Sequence, residues 1–245
     1  MHPVIASFGP LTIYSYGFML ALAFASGILL AIFLGRKKGL SAELILDLAL
    51  LVLVFSIIGA RLFYVVGFWD IYKSNWIKIF YVQEGGLVFL GGLFFALLTV
   101  WTFALFKKTP LLKLLDVIAP GAVLGYSIGR IGCFLNGCCY GVATQSFLGV
   151  KFPQLYELHY PTQLFSSLVN LLIFFFLLFL WPRAKKDGVV FYTAFFMHLT
   201  YRFLIEFLRD YPVRFMGILT YSQILSIAFF VLGLIMFYRD FYKRA

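Results

Sequence analysis

The sequence predicts an all-α, polytopic integral membrane protein with seven transmembrane helices. Of its 245 residues, 63% are hydrophobic and only 12% are charged, whereas a typical soluble domain is about 45–50% apolar and about 25% charged. So few charges could not cover a soluble globule of this size. Seven apolar segments approach the roughly 20 residues that a helix needs to cross a bilayer. These observations exclude a soluble enzyme, a disordered chain and a disulfide-stapled secreted scaffold.

The predicted spans cover residues 13–34, 43–66, 87–106, 114–135, 162–181, 189–208 and 222–238. Basic residues follow the first span and none precedes it, so we expect it to be retained and not cleaved as a signal peptide. The sequence has no evident repeat period, low-complexity tract or soluble domain. Residues 1–245 are therefore expected to form a single membrane domain.

Basic residues lie mostly on one side of the predicted membrane. The connections after spans one, three and five and the C-terminal tail hold most of the 20 Lys and Arg residues: Arg36, Lys37, Lys38, Lys107, Lys108, Lys113, Arg183, Lys185, Lys186, Arg239, Lys243 and Arg244. The opposite connections hold Lys73, Lys78, Lys151 and Arg214. The positive-inside rule then places the N-terminus outside and the C-terminus in the cytoplasm. The net charge of +10 thus reports orientation, and we expect no nucleic-acid partner.

The outer connections are the longer ones, at about residues 67–86, 136–161 and 209–221. They contain Trp69, Trp76, Tyr140, Tyr156 and Tyr160, and Trp and Tyr are typical of the membrane interface. The inner connections are short and basic. Any chemistry is therefore expected to face outward.

Four arginines remain within or beside the spans, namely Arg61, Arg130, Arg202 and Arg209. An Arg at mid-membrane costs about 2.5–3.5 kcal/mol on insertion scales, so its presence needs a reason. All four fall toward the outer ends of their spans and could meet in one pocket. Guanidinium groups match phosphate oxygens, which indicates a phospholipid phosphate as ligand. The alternative is that each side chain merely extends to the headgroup layer.

Span six carries a polar stripe. His198, Arg202, Glu206 and Arg209 follow a spacing that places them on one face of a helix. Glu206 lies one turn from Arg202 and could orient it. His198 is the one histidine within the predicted spans, and the sequence leaves open whether it is catalytic or a hydrogen-bonded core residue.

Several motifs resemble those of the prolipoprotein diacylglyceryl transferases of bacteria. The most specific is G-R-I-G-C-F-L-N-G at 129–137, followed by C-C-Y-G at 138–141. The other matches, in chain order, are G-P-L at 9–11, Y-G-F-M at 16–19, G-A-R at 59–61, G-G-L-V-F-L-G-G at 85–92, P-T-Q-L at 161–164 and R-F-L-I-E-F-L-R at 202–209. The resemblance covers nearly the whole chain.

The resemblance implies transfer of the sn-1,2-diacylglyceryl group from phosphatidylglycerol to the lipobox cysteine of a preprolipoprotein. A thioether forms and glycerol 1-phosphate leaves, without a cofactor. The implied location is the bacterial cytoplasmic (inner) membrane, with the active site toward the periplasmic side. The implied partners are phosphatidylglycerol, the preprolipoprotein lipobox peptide and the bilayer.

The resemblance and the chemistry together suggest roles for individual residues. The expected catalytic residues are Arg130, Arg202, Glu206, Tyr16 and His198. The expected phospholipid-binding residues are Arg61, Arg130, Asn136, Gly137, Gly141, Gln163, Arg202 and Arg209. Gly137 and Gly141 could let the backbone approach the headgroup closely, or they could be ordinary turn glycines.

This chain departs from the family pattern at several positions. Some relatives have a His, proposed as the base, where this chain has Leu90, and Tyr160 replaces the His before P-T-Q-L. His198 occupies a position where some relatives have Tyr. We therefore hypothesise that the acceptor thiol is activated by His198, or by arginines that stabilise the thiolate without a dedicated base. These departures keep open a diverged paralogue that binds phospholipid or lipidates a different thiol.

The three cysteines, Cys133, Cys138 and Cys139, are expected to be small buried thiols or an outer-face disulfide. A metal site would need more ligands at suitable spacing, and a covalent intermediate on cysteine is also disfavoured. Two rival classes fit less well. A rhodopsin-type receptor needs a Lys in span seven, and 222–238 contains none. A transporter or scramblase would more naturally show paired halves.

Overall fold

The protein is mostly helical (72%) in a computed structural model that describes residues 1–9, 11–73, 75–81, 85–210 and 218–243. Pro10, Arg214, Arg244 and most of the predicted connection at 209–221 lie outside the described residues. The helices are α1 (Ser15–Lys37), α2 (Ala42–Gly67), the short α3 (Trp69–Tyr72), α4 (Phe89–Phe106), α5 (Leu111–Asn136), α6 (Thr162–Leu180), α7 (Val189–Ile205) and α8 (Tyr221–Tyr238).

Every predicted span coincides with a helix, and six of these helices are long and apolar enough to cross a membrane. The exception is α7, which has 17 residues and a length of about 26 Å at 1.5 Å per residue. A hydrocarbon core is about 30 Å thick. A 3-10 turn, Glu206–Leu208, continues α7. The multi-pass helical architecture is therefore confirmed, while a seventh span remains a prediction.

The described chain also contains four short strands, which the sequence did not predict. Strands β1 (Val4–Phe8) and β2 (Leu11–Tyr14) form an antiparallel pair before α1. Strands β3 (Val150–Lys151) and β4 (Leu158–His159) form another within the connection between α5 and α6. Such short strands depend on backbone pairing with a neighbour, and they are too short to leave an alternating pattern in the sequence.

The chain forms two compact units. The first comprises Met1–Ala31 and Leu115–Ala245. Its core includes Val123 of α5, Leu177 of α6 and Val190 of α7. Two glycines allow α1 and α5 to approach closely, because a Cβ at Gly121 would lie 2.6 Å from the carbonyl oxygen of Gly27. Such close crossings of small residues are common where membrane helices pack.

The second unit comprises Ile32–Leu114, and its centre is the packing of α2 against α4. A Cβ at Gly91 would lie 2.5 Å from the carbonyl oxygen of Gly59. The two helices therefore cross at glycines of the G-A-R motif and of the G-G-L-V-F-L-G-G motif. A cavity of ≈ 590 Å³ between the two helices is lined mostly by apolar side chains and contains none of the predicted site residues.

Candidate active site

The first unit places Arg130 against an aromatic side chain of its own helix. Nη2 of Arg130 donates a hydrogen bond of 2.5 Å to the hydroxyl of Tyr126, and the guanidinium lies 4.7 Å from the centre of that ring. This is its one hydrogen bond to the described part of the chain. A guanidinium has five N–H donors, so most of its donors remain available for a ligand.

His198 contacts both α5 and α6. Nδ1 of His198 lies 2.9 Å from Oδ1 of Asn170, and the His198 ring meets the Tyr126 ring edge-on at 4.8 Å. The amide of Asn170 is oriented by its own Nδ2, which donates to the carbonyl of Ser166 at 2.8 Å. Oδ1 of Asn170 must therefore accept a hydrogen from Nδ1 of His198. The neutral imidazole then carries its free lone pair on Nε2.

Arg202 forms an ion pair with Glu206, one turn further along the chain. Nη2 of Arg202 also donates to the hydroxyl of Ser222 at 2.7 Å. The other carboxylate oxygen of Glu206 accepts from the hydroxyl of Thr220 at 2.9 Å. Thr220 caps the N-terminus of α8 in a reciprocal capping box with Gln223. The start of α8 therefore holds Glu206, and Glu206 holds Arg202.

The loop after α5 is anchored to the start of α6. Nε2 of Gln163 donates to the carbonyl of Cys138 at 2.6 Å, and the hydroxyl of Thr162 donates to the carbonyl of Cys139 at 2.8 Å. Gln163 is 1% exposed, yet its Oε1 has no hydrogen-bond partner among the described residues. An unsatisfied buried acceptor costs about 1–3 kcal/mol, and a bound ligand with a hydroxyl donor would recover that cost.

Arg209 does not share the helical face of His198, Arg202 and Glu206, which corrects the predicted stripe. The α-helix ends at Ile205, and Arg209 has extended backbone angles, φ −92° and ψ 143°. It pairs instead with Gly141 in an antiparallel bridge. The i, i+4 spacing correctly predicted the Arg202–Glu206 pair, but it could not reveal where the helix ends.

The two predicted loop glycines have structural reasons of their own. Gly137 has φ +75°, a left-handed conformation that favours glycine at the end of a helix. A Cβ at Gly141 would overlap the carbonyl oxygen of Leu208. The turn interpretation therefore accounts for Gly137, and close packing of two backbone segments accounts for Gly141. Their contact with a headgroup remains a prediction.

A cavity of ≈ 440 Å³ lies beside this loop. It is lined by Gly137, Cys138, Cys139, Tyr140, Gln154, Arg209 and Asp210. A hydrogen bond from the Cys133 thiol, with the positive charge of Arg209, lowers the pKa of the Cys139 thiol to about 5. Burial raises the pKa of Cys138 above its ordinary value. Cys139 is thus the thiol of this loop that ionises most readily.

Two further predicted residues lie at the border of this region. Tyr16 is 43% exposed, and its ring packs near Gly132, where a Cβ would lie 3.5 Å from a ring carbon. Asn136 is exposed and is the last residue of α5. Tyr16 is therefore close to the G-R-I-G-C segment that contains Arg130.

Arg61 lies in the second unit and is 6% exposed. All five of its N–H donors form hydrogen bonds with backbone carbonyls. Nε donates to the carbonyl of Ile79, Nη1 donates to those of Gly85 and Gly86, and Nη2 donates to those of Lys78 and Tyr81. The structure thus gives Arg61 an organising role in the connection between α2 and α4. Its predicted role in phospholipid binding remains a prediction. Leu90, at the position where some relatives have a His, is 46% exposed in the first turn of α4.

Sequence reasoning missed four partners of the polar site, which are Tyr126, Asn170, Thr220 and Ser222. A signal was present for two of them. Asn170 is 0% exposed and ends a buried polar stripe on α6 that a helical plot would have shown. Thr220 begins a T-x-x-Q capping box. Tyr126 and Ser222 carry no comparable signal in the sequence.

These features define a class of protein, a multi-pass membrane protein in which half-buried arginines and an imidazole form a polar site with a buried carboxylate. The family model for prolipoprotein diacylglyceryl transferase matches residues 3–239. A phosphatidylglycerol–prolipoprotein diacylglyceryl transferase of Clostridium botulinum (strain Langeland) is 32% identical over 253 residues, which cover 100% of this chain and 99% of the relative.

Two other relatives agree with this match. A protein of the same name from Clostridium tetani is 32% identical, with 100% of each chain covered. The phosphatidylglycerol–prolipoprotein diacylglyceryl transferase 2 of Clostridium perfringens is 33% identical, with 97% of this chain and 94% of the relative covered. The chain therefore belongs to the prolipoprotein diacylglyceryl transferase family, and it is a diacylglyceryl transferase.

Proposed function

We propose that this chain transfers the sn-1,2-diacylglyceryl group of phosphatidylglycerol to the lipobox cysteine of a preprolipoprotein, and that Arg130, Arg202 and His198 carry the reaction. Family membership supports the activity. The observation that supports the residue assignment is geometric: the Tyr126 ring contacts the Arg130 guanidinium at 4.7 Å and the His198 ring at 4.8 Å, and Arg202 lies one turn from His198 on α7. One half-buried region therefore combines two cations with a proton acceptor.

The arginines would bind the phosphate of phosphatidylglycerol. Arg130 has donors available, and Arg202 is held in place by Glu206 and Ser222. Guanidinium groups form charge-assisted hydrogen bonds with phosphate oxygens. Negative charge grows on the phosphate as the ester bond breaks. Fixed cations stabilise that charge more strongly in the transition state than in the bound lipid, which lowers the barrier.

The sulfur of the lipobox cysteine would attack the glycerol carbon that bears the phosphate ester. The new carbon–sulfur bond forms as the carbon–oxygen bond breaks. The electron pair of the carbon–oxygen bond leaves with glycerol 1-phosphate. The thiol proton must be removed because the thiolate is the nucleophile. Nε2 of His198 is the proposed acceptor, since Asn170 leaves its lone pair free. His198 later returns the proton to solvent.

The loop residues would recognise the headgroup. The unpaired Oε1 of Gln163 is a buried acceptor that suits a hydroxyl of the glycerol headgroup. Arg209 lines the cavity beside Gly137 and would add a third cationic contact. Tyr16, Asn136 and Gly141 complete the proposed surface, which lies within the first unit. A phospholipid contact of Arg61, in the second unit, is proposed separately. No metal or cofactor is part of this proposal.

The proposed setting is the bacterial inner membrane. Residues 1–245 would form a single domain in which α7 also crosses the bilayer, with the N-terminus and the site toward the periplasm and the C-terminus in the cytoplasm. Six helices long and apolar enough to cross a membrane and the distribution of basic residues support this arrangement. Fusing a reporter that is active only in the periplasm to either terminus tests it. Activity of the C-terminal fusion would contradict the proposed orientation.

The decisive experiment measures thioether formation on a lipobox peptide by mass spectrometry, with purified protein and phosphatidylglycerol vesicles. Arg130→Lys and Arg202→Lys keep the positive charge but lose the planar guanidinium that can donate two parallel hydrogen bonds to a phosphate. Each substitution should lower kcat/KM by at least about tenfold. The control is Arg183→Lys, because Arg183 is exposed and its one hydrogen bond to the described residues goes to the carbonyl of Phe179. Unchanged rates in both variants would overturn the residue assignment. Phospholipid binding without any peptide lipidation would favour the diverged paralogue.

A further inference from the structure

The three cysteines of the chain come together in the first unit. The Sγ atoms of Cys133, Cys138 and Cys139 all lie within 4.8 Å of one another, and none is in a disulfide. Cys133 lies in the last turn of α5, and the other two follow in the loop. The sequence disfavoured a metal here because a fourth protein ligand was not evident, but it could not show that the three sulfurs converge.

The loop geometry that brings these sulfurs together is held by specific contacts. Cys139 has φ +65°, and Lys108 is the one other described non-glycine residue with positive φ. This conformation is costly for a residue with a Cβ, and such strain is concentrated at functional sites. Thr162 and Gln163 fix the carbonyls of Cys139 and Cys138, and the amide of Cys138 donates to the carbonyl of Cys133 at 3.1 Å. The sulfur positions are therefore largely prearranged.

The spacing fits a metal bound by three thiolates. A metal–sulfur distance of about 2.3 Å requires sulfurs about 3.8 Å apart in a tetrahedron or about 4.0 Å apart in a trigonal plane. Sulfurs already within 4.8 Å need to close by no more than about 1 Å, which small side-chain rotations achieve. Thiolate ligands select soft cations such as Cu(I) and Zn(II) over Mg²⁺ or Ca²⁺.

The exposure of the cysteine cluster and the charges around it also suit a metal ion bound by three thiolates. Cys139 is exposed, and it lines the ≈ 440 Å³ cavity together with Cys138 and Arg209. Water in this cavity could serve as the fourth ligand of a tetrahedral ion. Three thiolates and one cation leave a net negative charge. Arg130, one turn before Cys133 on α5, and Arg209 are placed to offset it.

We propose that Cys133, Cys138 and Cys139 form a three-thiolate site for one soft metal ion of the Cu(I) or Zn(II) type. Each thiol releases its proton to solvent when its sulfur binds the ion. The site adjoins the proposed headgroup surface, with which it shares the cavity that Gly137 and Arg209 line, but its existence does not depend on the function proposed above. Its occupancy would fix the loop that carries Gly137 and Gly141.

The test uses the full-length protein, purified in detergent with a reductant and stripped of metal with a chelator. Titration with Cd(II) should produce a thiolate-to-metal charge-transfer band in the ultraviolet that saturates at one equivalent. Loss of an outer-sphere partner alone weakens metal affinity by about 10–100-fold. Removing one of three thiolates, in Cys133→Ser, Cys138→Ser or Cys139→Ser, should therefore weaken Cd(II) binding by at least about 100-fold. The control, His2→Gln, should bind Cd(II) as the parent protein does.

Two results would overturn the proposal: the absence of a charge-transfer band in the parent protein, or unchanged Cd(II) affinity in any one of the three serine variants. Size-exclusion profiles identify a variant that fails to fold, and Cys→Ala substitutions at the same positions then replace it. X-ray absorption of the Zn(II)-loaded parent protein gives an independent measurement. It should find three sulfur neighbours at about 2.3 Å; two or fewer would contradict the site. None of these measurements depends on lipid transfer.

Discussion

Nδ1 of His198 and Oδ1 of Asn170 lie 2.9 Å apart and join α7 to α6. The amide of Asn170 cannot turn without losing its bond to the carbonyl of Ser166. The pair therefore determines which nitrogen of the imidazole carries the hydrogen. It makes Nε2 the nitrogen that can accept a proton from a thiol.

The His198→Phe substitution tests this role directly. Positioned general bases contribute about 10²–10⁴-fold to a rate, so kcat for lipobox lipidation should fall by that order while phosphatidylglycerol binding persists. Asn170→Leu should also lower kcat, because the Nδ1 hydrogen loses its acceptor. The control is Asn75→Leu, in the exposed connection between α2 and α4. Full activity of His198→Phe would leave the alternative in which the arginines stabilise the thiolate without a base.

Substituting Glu206 with Gln should destabilise the protein. Glu206 is 3% exposed, and the Arg202 side chain is 18% exposed, so removing the carboxylate charge leaves a largely buried cation without its partner. Breaking such a pair costs about 3–5 kcal/mol, and the partial exposure of Arg202 favours the lower end. Thermal unfolding in detergent measures the change. The matched control is Asp70→Asn in the exposed Lys73–Asp70 pair, where no measurable change is expected.

The Arg61→Ala substitution should loosen the connection between α2 and α4. Five backbone carbonyls lose their donors at once, and each buried carbonyl left unsatisfied costs about 1–3 kcal/mol. Limited proteolysis followed by mass spectrometry should then detect cleavage between residues 75 and 88. Lys78→Ala is the control, because the side chain of Lys78 is exposed and only its carbonyl contacts Arg61. Equal protease resistance in the two variants would contradict the organising role of Arg61.

A methyl group at position 141 should separate two backbone segments. The Cβ of Gly141→Ala would overlap the carbonyl of Leu208, and the adjacent bond from the amide of Val142 to that carbonyl, 2.9 Å long, would stretch or break. The unfolding temperature should fall, because overpacking of this kind costs about 1–3 kcal/mol. Gly129→Ala is the matched control, since a Cβ there meets no atom within 4 Å. A larger loss of stability in the control would contradict this account.

Cys138 and Cys139 should differ in how strongly their alkylation depends on pH. The pKa of Cys139 is lowered to about 5, so in metal-free protein its thiolate predominates throughout the range from about pH 6 to about pH 8. Its reaction rate with iodoacetamide should be nearly constant over this range. The raised pKa of Cys138 predicts a rate that increases with pH. Mass spectrometry of the labelled peptides distinguishes the two thiols.

Two variants test the causes of the Cys139 shift. Cys133→Ala removes the hydrogen bond that lowers the pKa most, and Arg209→Gln removes the nearby positive charge. Either change should raise the pKa of Cys139 and slow its alkylation at about pH 6 more than at about pH 8. A pH-dependent rate at Cys139 in the parent protein, resembling that of a free cysteine, would contradict the lowered pKa.

The sequence by itself determined where the long helices lie and which residues most needed explanation. Bilayer thickness requires long apolar runs, and every predicted span is found as a helix. The cost of burying charge makes an arginine within a span conspicuous without any structure. The i, i+4 spacing of Arg202 and Glu206 also predicted their ion pair correctly. All of these signals are local, since they depend on residues within one segment.

Only the tertiary structure decided what each polar side chain contacts. It showed that Asn170 orients His198, that Arg209 leaves the helix to pair with Gly141, and that all five donors of Arg61 meet carbonyls. It also brought three cysteine sulfurs within 4.8 Å of one another. Such contacts join residues far apart in the chain or depend on where a helix ends. They arise from helix packing and loop backbone angles, which composition and periodicity do not encode.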